Sequence, residues 1–320
     1  MTSPTTPDEE ALAFEALVVR MVAGEVLSTL DDAVSMVLTA FEGLSVTVGT
    51  ITEESAKLFG KVLADRIRVI SWDPMEPRAK ERAIEARQRG ISRVVRTIPP
   101  GGERDRAART KPRRPKALPK MDRNLRRGLE EAAKLAQQGI RTRTQAASVA
   151  GKLKAAKART EGSARWVAHE GLNAGVADVA RNLGQRLLWT PERNSCLHCL
   201  AHAGWIVEPD DEFPTGRSFD PKGSKLPGVP WPPLHPNCRC EVKLTTEPAG
   251  PPPADRSDVS RAAALAREAR RSVAYQWTDY ASGAAKERAA AALLAIGTGL
   301  ASSVEKRARA QLRKGGVRRP

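Results

Sequence analysis

Aromatic side chains are scarce in this chain, with five Phe, six Trp and two Tyr among 320 residues. An architecture dominated by sheets, whose strands are rich in aromatic and β-branched residues, is therefore not expected. Long apolar runs are missing as well. The longest uncharged stretch, Ala289 to Val304, falls short of the roughly 18 to 20 apolar residues that cross a bilayer and contains Gly297, Thr298, Gly299, Ser302 and Ser303; it reads as a buried helical hairpin. The opening MTSPTTPDEE has no basic region ahead of an apolar core, so no secretory signal is expected and a reducing compartment is. There is no G-x-S-x-G, no H-E-x-x-H and no phosphate-cradling Gly loop. No period of 20 to 50 residues signals a repeat array.

What is abundant is alanine mixed with Arg, Lys, Leu and Glu, the composition of helical bundles. Lys and Arg number 53 against 37 Asp and Glu, a formal charge of +16. Such a surface attracts polyanions across about 8 Å at physiological salt, so nucleic acid or a very acidic protein is the expected partner; excess charge also serves solubility.

Along the chain, Thr6-Pro7-Asp8-Glu9 forms a capping box that opens a helix carrying Phe14, Leu17, Val18, Met21 and Val22. A second amphipathic segment carries Val34, Val37, Leu38 and Phe41. A third begins near Thr52 with Phe59, Val62, Leu63, Ile67 and Ile70 on one face. After Asp73-Pro74 comes a highly charged helix from about Pro77 to Val95, whose narrow apolar face needs a packing partner. Residues 1–97 are thus expected to form an N-terminal helical bundle. Residues 98–120 read as a basic flexible linker, because Pro and Gly break regular structure and the cations repel. Arg104, Arg106, Arg109, Lys111, Arg113, Arg114 and Lys116 in it are candidates for neutralising DNA phosphates, although a solvated spacer has the same composition. Residues 121–246 form a central helical region, with helices at about 122–138, 143–157 and 160–183 followed by two short strands, RLLWT at 186–190 and CRCEVKLT at 238–245. A Pro-rich linker, 247–256, leads to a basic helical tail, 257–320. The fold class is mainly α, with a small two-stranded β, zinc-knot-like module near residues 186–246.

All four cysteines lie in that module, as Cys196-Leu-His-Cys199 and Cys238-Arg-Cys240, with His235 three residues ahead of the second pair. C-x-x-C on a tight turn points two thiolates at one ion, and residues two apart on a strand share a face. Cys196, Cys199, His235, Cys238 and Cys240 are therefore five candidate ligands for a tetrahedral ion that needs four. Zinc suits mixed thiolate and imidazole donors best, with iron second; two disulfides or simple thiols are the structural alternative, which a reducing compartment disfavours. His198 and His202 read as surface or packing residues. The intervening stretch, Leu200 to Leu234, has no periodicity and many Pro, Gly and Asp residues. A metal clamp at its ends would offset the entropy of closing it. Trp205, Phe213, Phe219 and Trp231 then form a small satellite core, and Asp210, Asp211 and Glu212 a solvated acidic loop.

The run Pro232-Pro233-Leu234-His235-Pro236-Asn237-Cys238-Arg239-Cys240, preceded by the C-x-x-C and by Arg159-Thr160-Glu161 opening a helix, resembles the signature of the Mu F-like phage head morphogenesis proteins. The likeness covers a quarter to a third of the chain. It implies a minor head protein of a tailed bacteriophage, made in the bacterial cytoplasm and carried into the virion. Its implied partners are the portal, capsid and scaffold components and packaged double-stranded DNA, touched without sequence specificity. It also implies Arg159 and Glu161 as supports of the knot. Neither a membrane nor a small-molecule substrate is expected, and no enzyme: the nuclease alternative lacks a second His or Asn delivered from a helix after His235. The other alternative is a zinc-containing DNA-binding regulator or recombination accessory protein, which would read sequence.

Overall fold

The structure is a computed structural model, and it describes residues 7–48, 51–113, 115, 118–191, 197–200, 202–215, 228–235 and 238–251. Cys196, Arg114, Lys116, Phe219, the tail 257–320 and the uncharged stretch at 289–304 lie outside the described residues. Among those described, no helix is long and apolar enough to cross a membrane.

The chain is mainly helical, with a small antiparallel sheet. Helix α1 spans Pro7–Val48 and is continuous where two segments were expected. The buried stripe Phe14, Val18, Val22, Val26, Leu30, Val34, Val37 and Phe41 keeps helical spacing throughout, while Asp31 and Asp32 face outward rather than breaking the run. Helix α2 (Glu53–Arg68) is capped by Thr52, whose hydroxyl accepts from Ser55 N at 3.2 Å. Its buried face is Ala56, Gly60, Leu63, Ala64 and Ile67, whereas Val62, expected inward, is 49% exposed. Helices α3 (Met75–Thr97), α4 (Gly102–Ala108), α5 (Met121–Gln137) and α6 (Arg143–Leu183) follow. Contacts group the described residues into two compact units: those within 1–86 and 113–171, and those within 87–112 and 172–251.

In the first unit, α2 packs on α5 so closely that a Cβ at Gly60 would sit 2.2 Å from Ala136 O. The carboxylate of Asp122, on α5, accepts from Met75 N at 3.1 Å, Glu76 N at 3.2 Å and Trp72 Nε1 at 2.9 Å, capping α3 from a distant point in the sequence. Helix α1 carries the acids and the first half of α6 the bases. They pair as Asp31 with Lys157 at 2.5 Å, Glu42 with Arg143 at 3.7 Å, and Glu15 with Arg165 at 3.3 Å and His169 at 2.7 Å. The order of these pairs makes the two helices antiparallel. Helix α6 is unbroken where two helices were expected, since the hydroxyl of buried Thr160 donates to Ala156 O at 3.0 Å inside the helix instead of capping a new one.

In the second unit, α3 and α6 cross backbone to backbone. A Cβ on Gly90 would lie 2.1 Å from Leu172 O, and one on Gly175 2.1 Å from Arg87 O. Helix α4 falls within the stretch expected as a flexible linker. Glu103 and Asp105 favour its first turn, Ala107 is buried, and Asn182 Nδ2 donates to Arg106 O at 2.7 Å and Thr110 Oγ1 at 2.9 Å. The sheet is a further correction, having three strands rather than two: β1 (Arg186–Thr190), β2 (Ile206–Val207) and β3 (Glu241–Thr245) in the order β2-β1-β3. Leu187 opposes Val207 and Leu244; Trp189 opposes Val242. Gly250 continues the β2 edge, exchanging bonds of 2.9 and 3.1 Å with Ile206, so the start of the Pro-rich stretch is tied down. Ile91, Val176, Val179, Leu187, Trp189, Phe213, Leu234 and Val242 fill the core, together with Cys199, Cys238 and Cys240.

Candidate metal centre

Of the four candidate ligands among the described residues, three converge. The donor atoms of Cys199, His235 and Cys238 all lie within 4.8 Å of one another, an arrangement that can hold a metal ion. Cys199 comes from the one-turn helix α7 (Leu197–Leu200), whose chain turns on through His202 N to Cys199 O at 3.1 Å. His235 and Cys238 are joined by Cys238 N donating to His235 O at 2.9 Å. Cys199 Sγ lies 3.2 Å from His235 Nε2 and 3.5 Å from Cys238 Sγ. No disulfide joins Cys199, Cys238 or Cys240.

Burial and a crowd of thiols govern the electrostatics of the site. Cys199 donates to Cys238 and draws its thiol downward, but the neighbouring Cys240 thiol and burial prevail and hold Cys238 well above the ordinary thiol range. Crowded, buried thiols resist becoming thiolates until a cation arrives to balance the charge, and coordination then removes the proton outright. Cys240, fully buried, stands beside Cys238 but outside the group of three. Its carbonyl accepts from Asn173 Nδ2 at 3.1 Å, and Asn173 Oδ1 accepts from Val242 N at 2.9 Å, so one helix amide fits the end of β3 like a missing strand.

The other expected residues fall as follows. Arg106, Arg109, Lys111 and Arg113 are exposed and Arg104 is half-buried, with Arg104 and Arg106 on α4. Arg159 and Glu161 sit on α6 in the first unit, engaged there with Glu131 at 3.8 Å and with Arg165. His202 is a packing residue: its ring lies 4.9 Å from that of Trp189 and its nitrogens meet His198 O and Pro214 O.

Sequence reasoning missed the supports. Trp231, expected only as satellite core, packs against two guanidiniums, with Arg87 Cζ 5.9 Å and Arg181 Cζ 5.6 Å from its ring centroid. Both arginines bind Asp178, Arg87 through Nε and through Nη2 at 2.8 Å, Arg181 through Nη1 at 3.2 Å. A buried Asn within the apolar stripe of α6 was the one signal available for Asn173. Comparisons with family models, with curated proteins and with solved structures find no match.

Proposed function

We propose that this is a structural, non-enzymatic minor head protein of a tailed bacteriophage, in which a zinc ion locks the sheet-bearing unit into a shape that portal and capsid components recognise. The observation that carries the reading is the convergence of Cys199, His235 and Cys238 from stretches about 36 to 39 residues apart. Zinc at about 2.3 Å from sulfur and 2.0–2.1 Å from nitrogen would set two tetrahedral sulfurs about 3.8 Å apart and a sulfur and nitrogen about 3.6 Å apart. The distances of 3.5 and 3.2 Å need little adjustment to reach that geometry. An ion there would serve as a clamp on the loops and supply folding energy rather than chemistry.

The viral part of the reading rests on the resemblance of Pro232 to Cys240 to the Mu F-like signature. Contact with packaged DNA would use the basic stretch at Arg104, Arg106, Arg109, Lys111, Arg113, Arg114 and Lys116, holding phosphates without reading bases. The test has two arms. Metal analysis of the purified chain should find about one zinc, lost in Cys199→Ser and Cys238→Ser. Produced together with the portal and capsid proteins encoded beside its gene, the chain should sediment with assembled heads. Zinc-free protein would sink the clamp, and a gene with no portal or capsid neighbour would sink the viral reading.

A further inference from the structure

The stretch that delivers His235 and Cys238 is fastened to α6 on both sides of the ligands. Upstream, Trp231 lies four residues before His235, and the guanidiniums of Arg87 and Arg181, held side by side on Asp178, both lie over its ring. Downstream, Asn173 grips Cys240 O and Val242 N, two and four residues beyond Cys238. The upstream clamp is built at cost. Arg87 and Asp178 keep only 5% and 2% of their side chains exposed, and burying an ion pair is weak evidence of net stabilisation. What the pair does provide is geometry. Asp178 fixes two guanidiniums at once, and Arg181 is held again by Asp210 Oδ1 at 2.6 Å and Pro209 O at 2.7 Å. Neither cation can swing away from the indole without losing those partners.

Helix α6 therefore presents two fixed points, Asn173 and the Asp178–Arg181 turn, separated by about 8 to 12 Å along the helix axis at 1.5 Å per residue. We infer that Trp231 and Asn173 are positioning residues that preset the arm carrying His235 and Cys238 on this helix, so that the ion finds two ligands in place and clamps the Cys199 arm onto them. The inference rests on the metal reading above and adds to it the source of affinity. Residues that orient ligands without touching the ion typically contribute about 10- to 100-fold in affinity.

Cobalt(II) titration of the full chain, followed by the d–d and thiolate charge-transfer bands, tests this. The wild type should show both bands. Trp231→Ala and Asn173→Leu should each need about tenfold or more cobalt for half-saturation, with band positions and helical circular dichroism unchanged. Trp231→Phe, which keeps an aromatic face for the guanidiniums, should recover most of the loss. Should Trp231→Ala fail to fold, Asn173→Leu and Arg181→Gln carry the comparison. Bands in the wild type with unaltered affinity in the folded variants would overturn the positioning role and leave the metal reading standing. Shifted bands would mean a changed ligand set and would also overturn it, and no bands in the wild type would remove both.

Discussion

Alanine at Gly175 should destabilise the protein, and the same change at Gly151, on the same helix, should stabilise it. A Cβ on Gly175 lies 2.1 Å from Arg87 O, 2.9 Å from Ile91 N and 3.0 Å from Gly90 Cα. All three are backbone atoms and cannot step aside as a side-chain tip could. An ordinary carbon–oxygen contact is about 3.3 Å or more, so α3 and α6 must separate by roughly 1 Å. A gap of that size forfeits about a quarter to a half of the dispersion energy along the seam. Overpacking of this kind costs about 1–3 kcal/mol or more, and the better helix propensity of alanine returns about 1 kcal/mol. The lost contacts and the clash together point to a net loss of about 2 kcal/mol. At Gly151 nothing lies within 4 Å of the added methyl, which leaves only the propensity gain of about 0.5–1 kcal/mol. Thermal unfolding followed by helical circular dichroism should show a midpoint roughly 4–8 °C lower for Gly175→Ala and slightly higher for Gly151→Ala. Equal shifts in the two variants, or a Gly175→Ala midpoint at or above the wild type, would refute the close crossing.

Asp178→Asn should cost about 3–5 kcal/mol in urea unfolding, because it leaves the Arg87 guanidinium buried without a balancing charge, whereas Arg181 keeps Asp210; replacing Arg87 and Asp178 together with Met and Leu should cost far less. Thr52→Ala should lower stability by about 1 kcal/mol through the lost cap on α2, read from the same urea curves. Metal-free protein should also weaken in alkali. Cys238 keeps its proton to a higher pH when folded than when unfolded, where a thiol titrates near about 8.5. The folded chain thus binds the extra proton above that pH, so the contribution is complete below it and is lost as pH rises, by up to about 1.4 kcal/mol per unit. Urea midpoints at neutral and alkaline pH, with and without chelator, check the direction; a midpoint that rises in alkali without metal would contradict it.

Local signals in the sequence were read well where local physics decides. Helix α5 and strand β1 fall almost where periodicity and β-propensity put them, and Cys199, His235 and Cys238 meet as their spacing suggested. Errors arose at boundaries. The segment carrying Val34 to Phe41 and the helix opened by Thr160 stand as separate elements in the sequence reading, yet the first continues an unbroken α1 and the hydroxyl of Thr160 finds a carbonyl within α6. Strand β2 is two residues long, too short for alternation to register, and exists because β1 offers it an edge. The pairing of acidic α1 with basic α6, and the joint hold of Arg87 and Arg181 on Asp178, depend on which segments meet, which charge composition does not encode. Gly90 and Gly175 did carry a signal, since an isolated glycine inside a helical pattern marks close approach.

The two units are interleaved in the chain, and that has a bearing on biogenesis. Glu15 meets His169 across 154 residues and Asp31 meets Lys157 across 126. Translated ahead of α6, α1 must wait for most of the first unit before its antiparallel partner exists. Val18, Val22, Leu30 and Val37, buried in the finished unit, stay vulnerable for as long as that assembly is incomplete, the circumstance in which nascent chains aggregate or recruit chaperones. A host that makes this protein in quantity should therefore show it among chaperone clients, and a fragment ending at about residue 142, ahead of α6, should be insoluble although α1 to α5 lie wholly within it.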